Sequence, residues 1–177
     1  MPSLAARTNR RTRPSILSRV RARARIVAVI GAGECDARTA ERAEAVGRAL
    51  ASHGVVLATG GLAGVMEAAS RGAREAGGTV LGLLPGADAS AANEHVELAI
   101  ATGMGDARNA ILANTAEAFI AIGGAHGTLS EIAFALKRRK PVFGLGTWPI
   151  DGVVACDDPD GAVEQALAAI ELHRHGA

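Results

Sequence analysis

The chain has 177 residues, of which 49% are hydrophobic and only 2% aromatic, with a formal net charge of +1. That length suits one domain with an aliphatic core, and no apolar run approaches the roughly 20 residues that cross a bilayer as a helix. Two cysteines, Cys35 and Cys156, make no disulfide framework, and with the lack of an apolar span they point to a cytoplasmic location.

The charge is unevenly spread. Residues 1–25 hold eight arginines and no acid, leaving 11 basic and 18 acidic residues in the remainder, a net charge of −7. Residues 1–24 therefore read as a basic, disordered arm on a globular body at 25–177. A tail from an upstream start codon, a nucleic-acid contact and an organellar transit peptide are the readings of the arm. The Ala/Arg/Gly richness, with only Lys137 and Lys140 as lysines, suggests a GC-rich bacterial genome and weighs against the transit peptide.

From Arg25 on, strand-length apolar runs alternate with amphipathic stretches. Ile26–Ile30 predicts a strand and leads into Gly31-Ala32-Gly33, and Ala37–Ser52 predicts a helix capped by Asp36. Val55–Ala58 is the next strand, followed by Thr59-Gly60-Gly61-Leu62-Ala63-Gly64 and a helix over Val65–Ala76. Strands follow at Thr79–Leu84 and Val96–Ala101, and then a helix capped by Asp106 that runs to about Asn114. Strand Ala118–Ile122 precedes the turn Gly123-Gly124-Ala125-His126-Gly127-Thr128 and a helix from Leu129. Strand Val142–Leu145, a short apolar run at Gly152–Cys156 and a helix from Asp158 to His173 complete the body. Continuous apolar strands alternating with helices imply an α/β fold: one doubly wound, Rossmann-like domain of six or seven mostly parallel strands. Each glycine cluster follows a strand, so all belong on the carboxyl edge of the sheet, where such folds bind ligands.

The turn after Ile122 carries the most chemistry. Gly123, Gly124 and Gly127 let backbone approach a ligand, and the helix that follows presents free N–H groups and the positive end of its dipole. With His126 and Thr128 this is phosphate-binding architecture. Gly60 and Gly61 make a second cradle. Gly31 and Gly33 resemble the start of a dinucleotide fingerprint, but Asp36 replaces its third glycine and Thr59-Gly60 stand where an acid would end the second strand, so no NAD site is expected. Thr128-Leu129-Ser130-Glu131 spells a capping box, in which Glu131 would only satisfy a backbone N–H. Arg108, in the first turn of its helix, opposes the helix dipole yet is placed to meet an anion. His126 reads as either a solvent-facing residue or a ligand contact. Cys35, near a helix start, is a candidate for a lowered thiol pKa. No zinc spacing occurs, and a chain with no tyrosine and three phenylalanines has little to stack on nucleic acid.

Arg108, the segment Asn114–Ile122 and the pattern Gly127-Thr128-x-x-Glu131 resemble the LOG-like Rossmannoid superfamily. That group includes the cytokinin-riboside monophosphate phosphoribohydrolases, often mislabelled lysine decarboxylases. Ala107-Arg108-Asn109-Ala110-Ile111-Leu112 and Ile122-Gly123-Gly124 are more similar to a sister branch, related to DNA-processing protein A, that includes molybdenum-cofactor carrier proteins. This chain departs from the hydrolase pattern at four places: Asn109 for Lys, Gly123 for Pro, Ala125 for Gly, and Asp106 for the usual His. Neither lysine lies in a pyridoxal-phosphate motif.

The resemblance implies hydrolysis of the N-glycosidic bond of a nucleoside 5′-monophosphate. Glu131 would stabilise developing ribose charge or orient water, and Arg108 would position the ligand, with no metal or redox cofactor required. The alternative is a non-enzymatic carrier with molybdenum cofactor or a related phosphorylated pterin as cargo. A DNA-associated role of the arm ranks third. A small phosphorylated ligand and a homo-oligomer, most simply a dimer, are the expected partners; a membrane is not, and nucleic acid is disfavoured.

Overall fold

The computed structural model describes residues 23–175. The elements are β1 (Ile26–Gly31), α1 (Ala37–Ser52), β2 (Val56–Thr59), α2 (Val65–Glu75), β3 (Val80–Leu84), β4 (Leu98–Ala101), α3 (Arg108–Thr115), β5 (Ala118–Ile122), α4 (His126–Lys137), β6 (Val142–Leu145), β7 (Val153–Ala155) and α5 (Pro159–His175). The seven strands form one wholly parallel sheet in the order β4-β3-β2-β1-β5-β6-β7. The winding direction reverses between β1 and β5, which pair from Val27–Ala118 to Gly31–Ile122. The crevice at the end of that pair is the expected ligand position.

The period-two geometry of strands divides the apolar runs between two cores. Val27 and Val29 of β1, with Ala118, Ile120 and Ile122 of β5, face α1, α2 and α5. Ala28 and Ile30, with Phe119 and Ala121, face α3 and α4. Both faces are covered, which explains why β1 and β5 show no polar alternation. On the first face α1 and α2 meet backbone to backbone. A Cβ on Gly47 would overlap the Ala69 carbonyl, and one on Gly72 would overlap the Glu44 carbonyl.

Asp36 caps α1 as expected, its carboxylate accepting from the Thr39 N–H at 2.8 Å. Among the boundaries that differ from expectation, three have a clear local cause. Asp106 caps nothing; it lies in a single 3-10 turn, Gly105–Ala107, and α3 starts at Arg108 without a side-chain cap. Helix α4 starts at His126 rather than Leu129, because Thr128 is already in its first turn and accepts from the Ala125 N–H at 3.4 Å. Strand β4 starts at Leu98 rather than Val96, because the Val96 N–H closes a turn onto the Asn93 carbonyl at 3.1 Å.

Of the basic arm only Arg23 and Ala24 are described; their carbonyls accept from the Arg174 guanidinium at 3.2 and 3.1 Å. Residues 1–22 lie outside the described residues, and the readings of the arm lie there with them. No helix among the described residues is long and apolar enough to cross a membrane.

Candidate functional site

Where β1 and β5 end side by side, a cleft of about 270 Å³ opens. Its walls come from four elements. The end of β1 and the loop after it give Gly31, Ala32 and Gly33; the start of α2 and the loop before it give Leu62 and Met66; the 3-10 turn before α3 and its first residues give Asp106, Arg108 and Asn109; α4 and the residue before it give Ala125, Gly127, Thr128 and Glu131. Gly31 is required by crowding, since a Cβ there would stand 2.5 Å from Val65 Cγ1 and 2.7 Å from the Ile122 carbonyl oxygen. At Gly33 and Gly127 a Cβ would meet nothing within 4 Å, so both turns face open space.

Arg108 and Glu131 meet at the bottom of the cleft. Both are buried, at 8% and 6% exposure, and their closest approach is 3.5 Å, from Nη1 to Oε1. They share no hydrogen bond: Arg108 Nε and Nη1 are sealed from solvent without any hydrogen-bond partner. Asn109 beside them is 5% exposed. Its Nδ2 donates to Ser130 Oγ at 3.4 Å, while its Oδ1 is sealed and unpartnered. Burial pushes the Glu131 carboxyl up to about 7, against the opposing pull of Arg108. Desolvation also lowers the Arg108 pKa, and Glu131 and Asp106 only partly offset it.

This geometry removes the capping reading of Glu131. Thr128 occupies the third position of α4 and itself returns to the Ala125 N–H, so Glu131 lies a turn too deep to cap and points into the cleft lining. The spelling Thr-x-x-Glu was misleading because the helix begins two residues before the threonine.

Six of the eleven residues selected from sequence line this one cleft: Gly31, Gly33, Arg108, Gly127, Thr128 and Glu131. Gly60 and Gly61 are buried outside that lining. A Cβ on Gly60 would stand 2.6 Å from Arg108 Nη1 and 2.7 Å from Met66 Sδ, so its smallness makes room for the guanidinium. Gly123 and Gly124, with φ of 55° and 141°, line a different hollow. His126 is exposed, its ring centroid 6.3 Å from that of Trp148. Met66 and Leu62 were not singled out from sequence; their place directly after the second glycine cluster was the available signal. Burial and then Asp36 raise the Cys35 thiol pKa, opposite to the lowering that its place near a helix start suggested. Among the described residues no group of three or more His, Cys, Asp or Glu is arranged to hold a metal ion.

Comparison with known proteins agrees with the fold. An uncharacterised protein of Archaeoglobus fulgidus is 43% identical over 144 residues, 81% of this chain and 95% of that one. The molybdenum cofactor binding protein of the phototrophic bacterium Rippkaea orientalis superposes with a TM-score of 0.79 at 36% identity, covering 84% of this chain and 98% of that one. The molybdenum cofactor carrier protein of Chlamydomonas reinhardtii gives a TM-score of 0.77 at 37% identity, covering 83% and 99%. Both structures bear out the resemblance to the carrier-containing branch. With the SLOG cluster4 family model matching residues 24–168, the chain belongs to the SLOG cluster4 family.

Proposed function

We propose that this chain is a binding and carrier protein for a phosphorylated pterin-type ligand, with molybdenum cofactor as its cargo. The observation that carries this reading is the desolvated Arg108, whose Nε and Nη1 lack hydrogen-bond partners at the bottom of an open cleft. An unsatisfied buried donor is costly, and a bound anion removes that cost. Phosphate would sit on the first-turn N–H groups of α4 at Gly127 and Thr128, where the helix dipole adds to the attraction. Asn109 Oδ1 would accept from the same ligand. The relatives named for binding or carrying molybdenum cofactor support the cargo assignment.

The experiment is mass spectrometry of small molecules that co-purify with the chain, followed by calorimetry with molybdenum cofactor and with a phosphorylated pterin. A pterin phosphate should bind and inorganic phosphate should compete with it. Failure of both pterin ligands to bind would overturn the reading.

One observation favours hydrolysis as a second reading. A carboxyl with a pKa of about 7, beside a cation and lining a cleft, is suited to proton transfer near neutral pH. Release of free base from a panel of nucleoside 5′-monophosphates would establish it, and Glu131→Gln should then remove nearly all turnover. The assembly we propose is a homo-oligomer, a dimer in the simplest case. The unmatched apolar side chains of edge strand β4, Leu98 at 52% and Ile100 at 48% exposure, support an interface. A concentration-independent monomer mass by light scattering would exclude it.

A further inference from the structure

A second hollow of about 230 Å³ opens on the β6 side of the turn whose later residues, from Ala125, line the cleft. One wall is Gly123-Gly124, the start of the same turn that leads to Gly127; the other is Gly146-Thr147-Trp148-Pro149, the loop that follows β6. We propose that this hollow is the subsite for the flat, fused bicyclic heterocycle of the ligand, with Trp148 as its stacking platform. The assignment rests on the reading that phosphate occupies the Gly127 turn, and it names where the remote half of that ligand goes.

Three observations converge. Trp148 is the single tryptophan of a chain with no tyrosine and three phenylalanines, and it is spent on the ligand edge of the sheet rather than in either core. It is 37% exposed, and its ring lies 6.3 Å from His126 at a tilt of 41°, so no parallel stack with that ring occupies its face. A large aromatic left in this position is the feature expected of a sequence-tolerant stacking surface.

Thr147 supplies the polar element. Its Oγ1 is sealed from solvent and has no hydrogen-bond partner. Its methyl faces Gly144, where a Cβ would stand 2.7 Å from Thr147 Cγ2, so the missing side chain there leaves the threonine room to turn and present this hydroxyl to a ligand. A hydroxyl both donates and accepts, which matches the amide-like edge of a pterin or a purine. The third observation is room. Gly146 has a φ of 64°, which favours glycine, and a side chain there would point toward Arg42 of α1, whose Nη1 lies 3.6 Å from the Cβ position. Glycines at 123, 124 and 146 thus keep side chains out of the hollow that Trp148 lines.

The test uses the full-length chain and nuclear magnetic resonance, because one tryptophan gives one indole N–H resonance. The probes are 6-hydroxymethylpterin and guanosine, neither carrying phosphate, and inorganic phosphate alone. At least one heterocycle should shift the indole resonance, and which of the two binds more tightly distinguishes a pterin from a purine occupant. Trp148→Ala should weaken that heterocycle by about tenfold, and Trp148→Phe should restore most of the loss. Gly127→Asp should abolish the response to phosphate and keep the heterocycle shift. If neither heterocycle moves the indole resonance, or if Trp148→Ala binds the heterocycle as tightly as the parent, the subsite is refuted. If the heterocycles bind at Trp148 while phosphate perturbs no residue of the Gly127 turn, the subsite stands and the phosphate assignment falls.

Discussion

Two arginine–glutamate pairs in this molecule have opposite characters. Across α1 and α2, Arg71 donates twice to Glu44 Oε2, from Nε at 3.0 Å and from Nη2 at 2.8 Å, and Arg48 donates to the same carboxylate at 2.6 Å. This cluster lies partly in solvent, and hydrogen bonds from Arg71 and Arg48 hold Glu44 below the usual carboxylate range. Arg108 and Glu131 are far more deeply buried, yet they stand 3.5 Å apart with no hydrogen bond between them, and the carboxyl rises to about 7. The first pair is complete in itself and ties two helices. The second has been desolvated without being satisfied, an arrangement that gains from a third partner and loses from standing alone.

The largest break in this contrast should come from charge added at the mouth of the cleft. Gly127→Asp places a carboxylate where phosphate would sit, and at about 4 Å the repulsion predicts roughly a thousandfold loss of phosphorylated-ligand affinity by calorimetry. The fold should survive, because nothing lies within 4 Å of a Cβ at this position. Unchanged affinity would remove phosphate from the turn.

Glu131→Gln should act on the pH dependence of stability. The folded carboxyl keeps its proton to about pH 7, whereas an ordinary glutamate releases it near 4.5. Its contribution is therefore complete below about pH 4.5 and is lost as pH rises through 7, a change of about 3 kcal/mol. Denaturant midpoints of the parent, measured from pH 4.5 to 8, should fall relative to those of Glu131→Gln. Parallel profiles would show that Glu131 is not held neutral.

Arg108→Met removes the unsatisfied donors and keeps an unbranched side chain in the space beside Gly60. Affinity for a phosphorylated ligand should fall by about thirtyfold, the worth of one charge-assisted hydrogen bond, while stability without ligand, measured near pH 5 where Glu131 keeps its proton, stays level or rises. A large loss of stability would mark the pair as structural. The smallest effect belongs to the satisfied pair. Arg71→Met should cost no more than about 1 kcal/mol in chemical denaturation, given its partial exposure, and leave ligand affinity untouched.

The sheet was legible because its strands are uninterrupted apolar runs: Ala118–Ile122 and Val142–Leu145 end where the sequence placed them. The convergence of Arg108, Glu131 and the glycine turns followed from the rule that ligands gather at the carboxyl edge. Hydrogen-bond detail was less legible. The role of Glu131 depended on where α4 begins, and a three-residue difference turned a cap into a buried acid. Gly60 looked like a ligand cradle because sequence shows a small residue without showing what fills the space; here it is Arg108 and Met66. Trp148 passed unnoticed because nothing in Gly146-Thr147-Trp148 spells a motif, and only the sheet order brings that loop beside Gly123-Gly124.

The backbone contact of α1 with α2 at Gly47 and Gly72 has a mechanical consequence. Helices meeting through carbonyls rather than side chains have no compressible layer between them, and the Val65 N–H is further bonded to the Ala32 carbonyl at 3.0 Å. The two loops that open these helices thus behave as a fixed jamb. Under the proposed function, a movement that admits a ligand would have to come from the opposite wall, where α3 and α4 begin and where Arg108 and Glu131 stand.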